Sequence, residues 1–403
     1  MRHVIIGGSI AAASAIAAIT AKDRDAEITV VSQERPFYFR PLIPNLLEGS
    51  RSLEDISYLA GVKGVARLVS DSATGLDTGG RKVRLASGAE LEYDRLLIAT
   101  GGLPQVPDIP GAENVFTLRT AADALAIKKA AFGLKVKEAL IIGGGLVGIK
   151  AALALGKLGL GVTIVERLGQ LLYPRLDFKG ASIIRERLEK SGIGIIAGEE
   201  VREISNGRAR LGLGAEVSAP LVVAAVGTSP NTGWLKGSRL ESAGGLLVDD
   251  NLMTPVKDVF AAGDCMSFAD TVSGRMITSA LWTNAVETGR TAGTNMAGGR
   301  TVCPGIWQVL NATEICGVPM VSSGITEAAP EEEVYAHEGP DGYRKLIFEG
   351  ARLKGALFLG EIKGAGVYTS LIRNRTALSE VQKQKAIRAT LGYADFAMAG
   401  ARY

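Results

Sequence analysis

Cysteine is scarce in this chain: Cys265, Cys303 and Cys316 are the only three in 403 residues. No two share a C-x-x-C spacing and an odd number cannot all pair, so neither a disulfide framework nor a zinc site is expected. A reducing, cytoplasmic setting fits this usage, and no metal is anticipated. Long apolar runs are missing too. The longest, Ile10 to Ile19, is broken by Ser14 and is about half of the roughly 20 residues a membrane-spanning helix needs. Charge of one sign is also lacking, because the net charge is only +3 and no five basic residues run together, which argues against nucleic acid as a partner.

What the chain has in quantity is glycine, 51 residues, with 47% hydrophobic residues and 22% charged. That composition is globular and turn-rich, and the length makes two or three domains the expectation. The opening, MRHVIIGGSIAAASAIAAITAKD, has two incompatible readings. A basic start, an Ile/Ala stretch and A-x-A triplets are signal-peptide features. A strand, a glycine turn and a helix, as in a dinucleotide site, fit the same letters.

An internal repeat decides between them. VIIGGS at 4–9 and ITVV at 28–31 recur as LIIGGG at 140–145 and VTIV at 162–165, with an Ala/Leu-rich helical stretch between strand signals in both copies. Each copy is a βαβ unit. After each, an apolar strand runs into A-x-G and a proline: LLIATGGLP at 96–104 and VVAAVGTSP at 222–230. A third strand signal, DVFAAGDCMS at 258–267, ends at Gly263-Asp264 and precedes a helical stretch from Trp282 to about Gly298. The opening is thus expected to be half of a site rather than a removed leader.

The second copy fits G-x-G-x-x-G with Gly143, Gly145 and Gly148, directly after a strand and at the mouth of a helix. The first glycine makes the turn, the second lets a pyrophosphate approach the backbone, and the third allows close helix packing. Phosphate charge then sits at the helix N-terminus. Glu166, ending the second strand, is placed for a ribose 2′-hydroxyl and repels a 2′-phosphate, so NADH is expected over NADPH; the neighbouring Arg167 pulls the other way. The first copy keeps Gly7 but has Ser9 and Ala12 in the second and third positions, both small. Ser32 stands where Glu166 stands in its sibling, leaving a ribose contact to Gln33 or, two residues beyond Ser32, to Glu34.

The order of glycine turn, ATG, full G-x-G-x-x-G, A-x-G-x-x-PN and FAAGD resembles the FAD-dependent pyridine nucleotide oxidoreductases over at least residues 1 to 300. The resemblance implies an α/β fold of two Rossmann-like domains, an FAD domain (1–115 and 245–300) interrupted by an NAD(H) domain (116–244), then a C-terminal α+β domain (301–403) built from hairpins and a helical tail. It implies that Asp264 beside Gly263 binds the ribityl chain, that Thr100 and Gly101 lie along FAD, and that Trp282 starts a helix facing the flavin pyrimidine edge, where its dipole steadies negative charge. It further implies FAD contacts from Gly8, Arg40, Pro41, Val69 and Arg119, and NADH contacts from Leu146, Val147 and Gly227.

The disulfide-reductase branches need a redox-active cysteine beside the flavin, and no cysteine precedes Cys265. That chemistry is therefore excluded by its usual route, and Cys265 reads as a packed residue. PFYFRPLIPNLLEG at 36–49 resembles instead the branch of rubredoxin reductases, ferredoxin reductases and nitrite reductase flavin domains. Members of that branch pass electrons singly to an iron–sulfur or other one-electron protein or partner subunit. Two positions depart from oxygenase-type ferredoxin reductases: Asn45 where a lysine is frequent, and Lys150 in place of a glutamate. Lys150, two residues after Gly148, either faces the nicotinamide–flavin contact or is an ordinary helix lysine with its charge in solvent. Two other functions stay open, an NADH oxidase releasing peroxide and a flavin-bound interaction protein resembling apoptosis-inducing factor.

Overall fold

The computed structural model describes residues 1–34, 37–58, 64–133, 136–240, 242, 244–392 and 394–397. Pro36, the first residue of the segment resembling the rubredoxin reductase branch, and the end of the expected helical tail beyond residue 397 lie outside the described residues. The chain divides into two compact units, 1–108 with 115–135 and 224–306, and 109–114 with 136–223 and 307–403.

In the first unit, five parallel strands run in the order Val259–Ala261, Arg95–Ile98, Arg2–Ile6, Glu27–Ser32 and Arg67–Ser70. The central strands are near-continuous apolar runs, as expected for a sheet covered on both faces. Ile5, Leu96, Leu97 and Ile98 are completely buried. The helix Ile10–Lys22 links the first two adjacent strands in the expected βαβ manner, and the late helix Trp282–Met296 packs on it. Two glycines make that contact possible. A Cβ on Gly289 would stand 2.2 Å from the Ala11 carbonyl oxygen, and one on Gly293 2.4 Å from that of Ala15, so the two backbones touch directly.

The second unit repeats the plan. Ile193–Ala197, Gly161–Glu166, Glu138–Ile142 and Val222–Ala224 follow one another in its sheet, with the helix Leu146–Lys157 after the glycine turn. It also holds a three-stranded antiparallel sheet of Val201–Ser205, Arg208–Leu211 and Glu216–Ser218, and a five-stranded antiparallel sheet of Leu310–Ile315, Val318–Gly324, Arg352–Gly360, Gly342–Glu349 and Glu333–Gly339. The tail contributes Ala365–Arg373, Glu380–Ile387 and Ala394–Ala397 as helices, the second opened by a capping box of Ser379 and Gln382.

The compact units cut the chain differently from the boundaries expected from the sequence. Residues 116–135 and 224–244, expected with the NAD(H) segment, belong to the first unit. The reason is pairing: the Ala121 amide donates to Tyr38 Oη at 3.1 Å, and Thr228–Pro230 forms a ladder with Gly102–Pro104. Residues 307–403, expected to stand apart, share a unit with 136–223. Asp177 caps the helix Phe178–Lys190 through the Gly180 amide, accepts from Tyr343 Oη at 2.6 Å and pairs with Lys345 Nζ at 3.1 Å. Tyr343, Lys345 and Asp177 are all buried, so this polar joint is fully committed.

Candidate functional site

Each unit carries one helix N-terminus behind a glycine turn. In the first unit Gly7 has φ +118°, and a Cβ there would fall 2.1 Å from the Ala99 carbonyl oxygen, so only glycine fits where the opening strand meets its neighbour. Ser9 is the N-cap of Ile10–Lys22, but its side chain makes no capping bond. Its hydroxyl accepts from Arg40 Nε at 3.2 Å instead. The first-turn amides are left without that cap, as an anion-binding helix start requires. Ala12 is fully buried, which is the packing role of the third glycine carried by a methyl.

From Ser9 a charged chain runs along this face. Arg40 donates to Glu34 Oε1 at 2.5 Å and to the Arg119 carbonyl at 2.8 Å, and Arg119 pairs with Asp264 Oδ2 at 2.7 Å. Glu34 also accepts from Tyr38 Oη at 2.5 Å. Burial, with the Glu34 carboxylate adding to it, pushes the Tyr38 hydroxyl above its ordinary range. Glu34, two residues past the second strand, and Asp264, at the Gly-Asp turn, are thus the two ends of one network. Gln33 and Pro41 are exposed beside it, and Val69 pairs with Val31 at the sheet edge. Gly8 accepts from the Phe37 amide at 2.8 Å through its carbonyl.

The A-x-G turn closes the same region. Thr100 Oγ1 donates to the Asn231 carbonyl at 2.7 Å, and Gly101 takes φ +69°. Gly263, at φ +77°, has its amide bound to Thr288 Oγ1 at 3.0 Å. Thr288 belongs to the helix that Trp282 begins, so the Gly-Asp turn and that helix start are fixed to each other. Trp282 meets Phe39 edge-on at 4.6 Å between ring centroids, and Tyr58 at 6.3 Å. Asn45, by contrast, serves its own helix: its carbonyl accepts from Gly49 and its side chain donates to Glu48 and Ser50.

The second unit gives the fuller turn. Gly143 has φ +108° and its amide bonds to the Val165 carbonyl at 2.8 Å. A Cβ on Gly148 would fall 2.0 Å from the Gly143 carbonyl oxygen, whereas the space around Gly145 is open. These are a packing glycine and an approach glycine respectively. Gly145 is the N-cap and offers no capping side chain. Leu146 and Val147 follow, Val147 half exposed. Glu166 is held at the turn, with Oε2 accepting from the Gly144 amide at 2.6 Å and Oε1 from the Leu168 amide at 2.8 Å. Arg167 is exposed beside it. Lys150 donates to the Glu314 carbonyl at 2.5 Å, at the strand Leu310–Ile315 of the same unit. Gly227, grouped with these residues by sequence, lies in the first unit, where its carbonyl accepts from the Gln105 amide.

The residues of the first unit fit a flavin dinucleotide. An uncapped helix start and a buried polar atom beside Ser9 and Arg40 that lacks good hydrogen-bond geometry, Tyr58 Oη, ask for a polar group from outside the chain, while Gly7 lets the strand end close against the Ala99 carbonyl. Those of the second fit a nicotinamide dinucleotide, with open space at Gly145 and a carboxylate fixed beside it. Sequence reasoning missed Tyr58, Gly289 and Gly293. Tyr58 lies in a polar loop with no periodicity, and the two glycines have meaning only against Ala11 and Ala15. Cys265 is completely buried, its thiol donates to the Ile98 and Ala262 carbonyls at 3.3 Å, and burial pushes its pKa up to about 11. It is a packed residue, as read from sequence. Among the described residues no cluster of metal-ligating side chains occurs and no helix is long and apolar enough to cross a membrane.

A family model described as pyridine nucleotide-disulphide oxidoreductase matches residues 1–289. The chain is 32% identical over 399 residues to the NADH-dependent phenylglyoxylate dehydrogenase subunit epsilon of Aromatoleum evansii, covering 95% of this chain and 94% of that protein. It is 28% identical over 365 residues to the NADH-rubredoxin oxidoreductase of Clostridium acetobutylicum, covering 89% and 91%. The solved structure of an NAD-dependent persulfide reductase from A. fulgidus matches with a TM-score of 0.85 at 28% identity, over 94% of this chain and 77% of that one.

Proposed function

The chain belongs to the pyridine nucleotide-disulphide oxidoreductase family, and from that premise we propose that it takes hydride from NADH onto FAD and passes the electrons singly to a protein acceptor. It is an oxidoreductase that works with FAD and NADH. The acceptor in this reading is a small redox carrier or an iron–sulfur partner subunit. One relative is named an NADH-rubredoxin oxidoreductase and another a subunit of an NADH-dependent dehydrogenase, which supports a carrier protein or a partner subunit as acceptor. The proposed setting is cytoplasmic.

The observation that carries the choice of acceptor is the thiol inventory. No cysteine precedes Cys265, and Cys265 is buried, hydrogen-bonded to carbonyls and protonated at neutral pH. Cys303 in the same unit is also buried, its thiol pushed up to about 11, so a thiolate relay to a disulfide or persulfide has no activated thiol in the first unit. FAD, when bound, supplies the hydride acceptor and a site from which electrons leave one at a time.

The chain's own residues bind and align. Gly7 and the uncapped helix start after Ser9 receive pyrophosphate, with Arg40 supplying positive charge from Glu34 to Arg119. Asp264, held by Arg119, presents its second carboxylate oxygen to a ribityl hydroxyl. Gly143, Gly145 and Gly148 seat the second dinucleotide, and Glu166 orients its adenosine ribose. Lys150 is the charged residue proposed for the nicotinamide side. No acid–base residue is required, because hydride transfer needs alignment and charge stabilisation rather than a proton donor.

Acceptor choice is tested by reoxidation of the anaerobically reduced protein. Rapid reoxidation by rubredoxin, ferredoxin or a co-purifying iron–sulfur subunit, with slow reoxidation by air, supports the reading. Fast reaction with oxygen and peroxide release sinks it in favour of an oxidase, and reduction by NADH that takes minutes favours an interaction protein.

A further inference from the structure

The Tyr58 hydroxyl is a buried polar atom that no protein group meets in good hydrogen-bond geometry, although the Ser9 hydroxyl stands near enough to affect it. Such an atom costs about 1–3 kcal/mol if left unpaired, so its position needs a reason. The ring is anchored from two sides: the Tyr58 amide donates to the Phe37 carbonyl at 2.8 Å, and the ring stands edge-on to Trp282. The polar groups that face the hydroxyl are Ser9 and the Arg40 guanidinium. Burial raises its pKa to about 12, against the lowering effects of the Arg40 charge and of hydrogen bonding from the nearby Ser9 hydroxyl. The group is therefore a neutral donor at physiological pH.

Ser9 is meanwhile engaged elsewhere. It stands where the dinucleotide fingerprint has its second glycine, it does not cap its own helix, and its oxygen accepts from Arg40 Nε at 3.2 Å. Its hydroxyl thus leaves the first-turn amides uncapped, and beside it stand one cation, Arg40, and the O–H donor of Tyr58. An anionic oxygen satisfies both at once. Nothing else in the charged chain of Glu34, Arg40, Arg119 and Asp264 offers Tyr58 an acceptor.

We propose that Tyr58 is a positioning residue for the flavin dinucleotide, its hydroxyl donating to a pyrophosphate oxygen at the Ser9–Arg40 corner and replacing backbone contact that a glycine at position 9 would allow. The inference rests on the FAD reading above and names a donor that reading does not contain. It also gives the serine a role: Ser9 holds Arg40 Nε so that the guanidinium and the tyrosine converge.

The test is Tyr58→Phe, which keeps the ring and its contact with Trp282. Apoprotein is titrated with FAD by flavin fluorescence, and its urea midpoint is measured without FAD. The expected result is FAD binding weakened about tenfold, the loss of one hydrogen bond to a charged group, with apoprotein stability unchanged or raised because a poorly bonded buried hydroxyl has gone. FAD affinity within twofold of wild type overturns the proposal. So does a destabilised apoprotein, which would give the hydroxyl a protein partner. Wild-type apoprotein that takes up no FAD would instead overturn the functional reading itself. Ser9→Gly supplies a second arm: adding it to Tyr58→Phe is expected to cost less than the product of the two single effects, and strict multiplicativity would dissociate Ser9 from the tyrosine.

Discussion

Replacing Glu166 by glutamine tests coenzyme choice at one atom pair. The carboxylate is fixed by the Gly144 amide at 2.6 Å and the Leu168 amide at 2.8 Å, so it cannot swing away from a 2′-substituent. Two unit charges about 4 Å apart interact by about 4 kcal/mol at an effective dielectric of 20 and by about 1 kcal/mol in water. Glu166 is only partly buried, which puts the expected repulsion of a 2′-phosphate between those limits, near 2 kcal/mol or about thirtyfold. Glutamine is isosteric and keeps one carbonyl oxygen for the Gly144 amide, but its NH2 opposes the Leu168 amide. Affinity for NADH should fall about tenfold through loss of charge-assisted bonds to the ribose. Affinity for NADPH should rise or hold. Both are read from the concentration dependence of flavin reduction under anaerobic conditions. If the NADPH-to-NADH ratio moves by less than twofold while both affinities fall together, Glu166 only braces its loop and the ribose assignment is wrong.

Gly289→Ala would place a methyl 2.2 Å from the Ala11 carbonyl oxygen, which is backbone and cannot turn aside; the apoprotein should lose about 3 kcal/mol in urea unfolding, and a loss under about 0.5 kcal/mol would refute direct helix contact. Lys150→Met should slow flavin reduction by NADH several-fold; an unchanged rate would assign the lysine to the Glu314 carbonyl alone. Cys265→Ala should retain NADH-driven reduction of the protein acceptor, whereas abolished turnover in a well-folded variant would restore a thiol role. His3 is buried with Nδ1 unpartnered, and burial, then the N-terminal charge, lower its pKa. Below about pH 6.5 the unfolded chain binds a proton that the folded chain refuses, so stability is complete above that pH and falls as pH drops. His3→Gln should remove up to about 1.4 kcal/mol per pH unit from that slope, and a flat difference between pH 7.5 and 5 would contradict it.

Features set by neighbours in sequence were legible in advance. The glycine turns at Gly7 and Gly143, the helix starts behind them and the Gly263-Asp264 turn follow from strand, glycine and helix signals that lie within a dozen residues of each other. The second copy was clearer than the first because Gly145 and Gly148 meet requirements that Ser9 and Ala12 meet only by being small. Features set by distant partners were not legible. Gly289 and Gly293 read locally as weak helix residues, and only Ala11 and Ala15, far away in the chain, show why a side chain is forbidden. Tyr58 has no pattern around it; that no protein group meets its hydroxyl in good geometry is a fact of three dimensions. The polar joint of Asp177, Tyr343 and Lys345 likewise unites segments whose hairpin signals suggested a free-standing domain.

The central claim, hydride from NADH onto FAD, is tested most directly by anaerobic stopped-flow mixing of the FAD-reconstituted protein with NADH, followed near 450 nm, about where oxidised flavins absorb. The account predicts bleaching in a single fast phase at a rate of at least about 1–10 per second, the range of ordinary turnover, with NADH well ahead of NADPH. A flavin that binds stoichiometrically yet stays oxidised for minutes in excess NADH would contradict it.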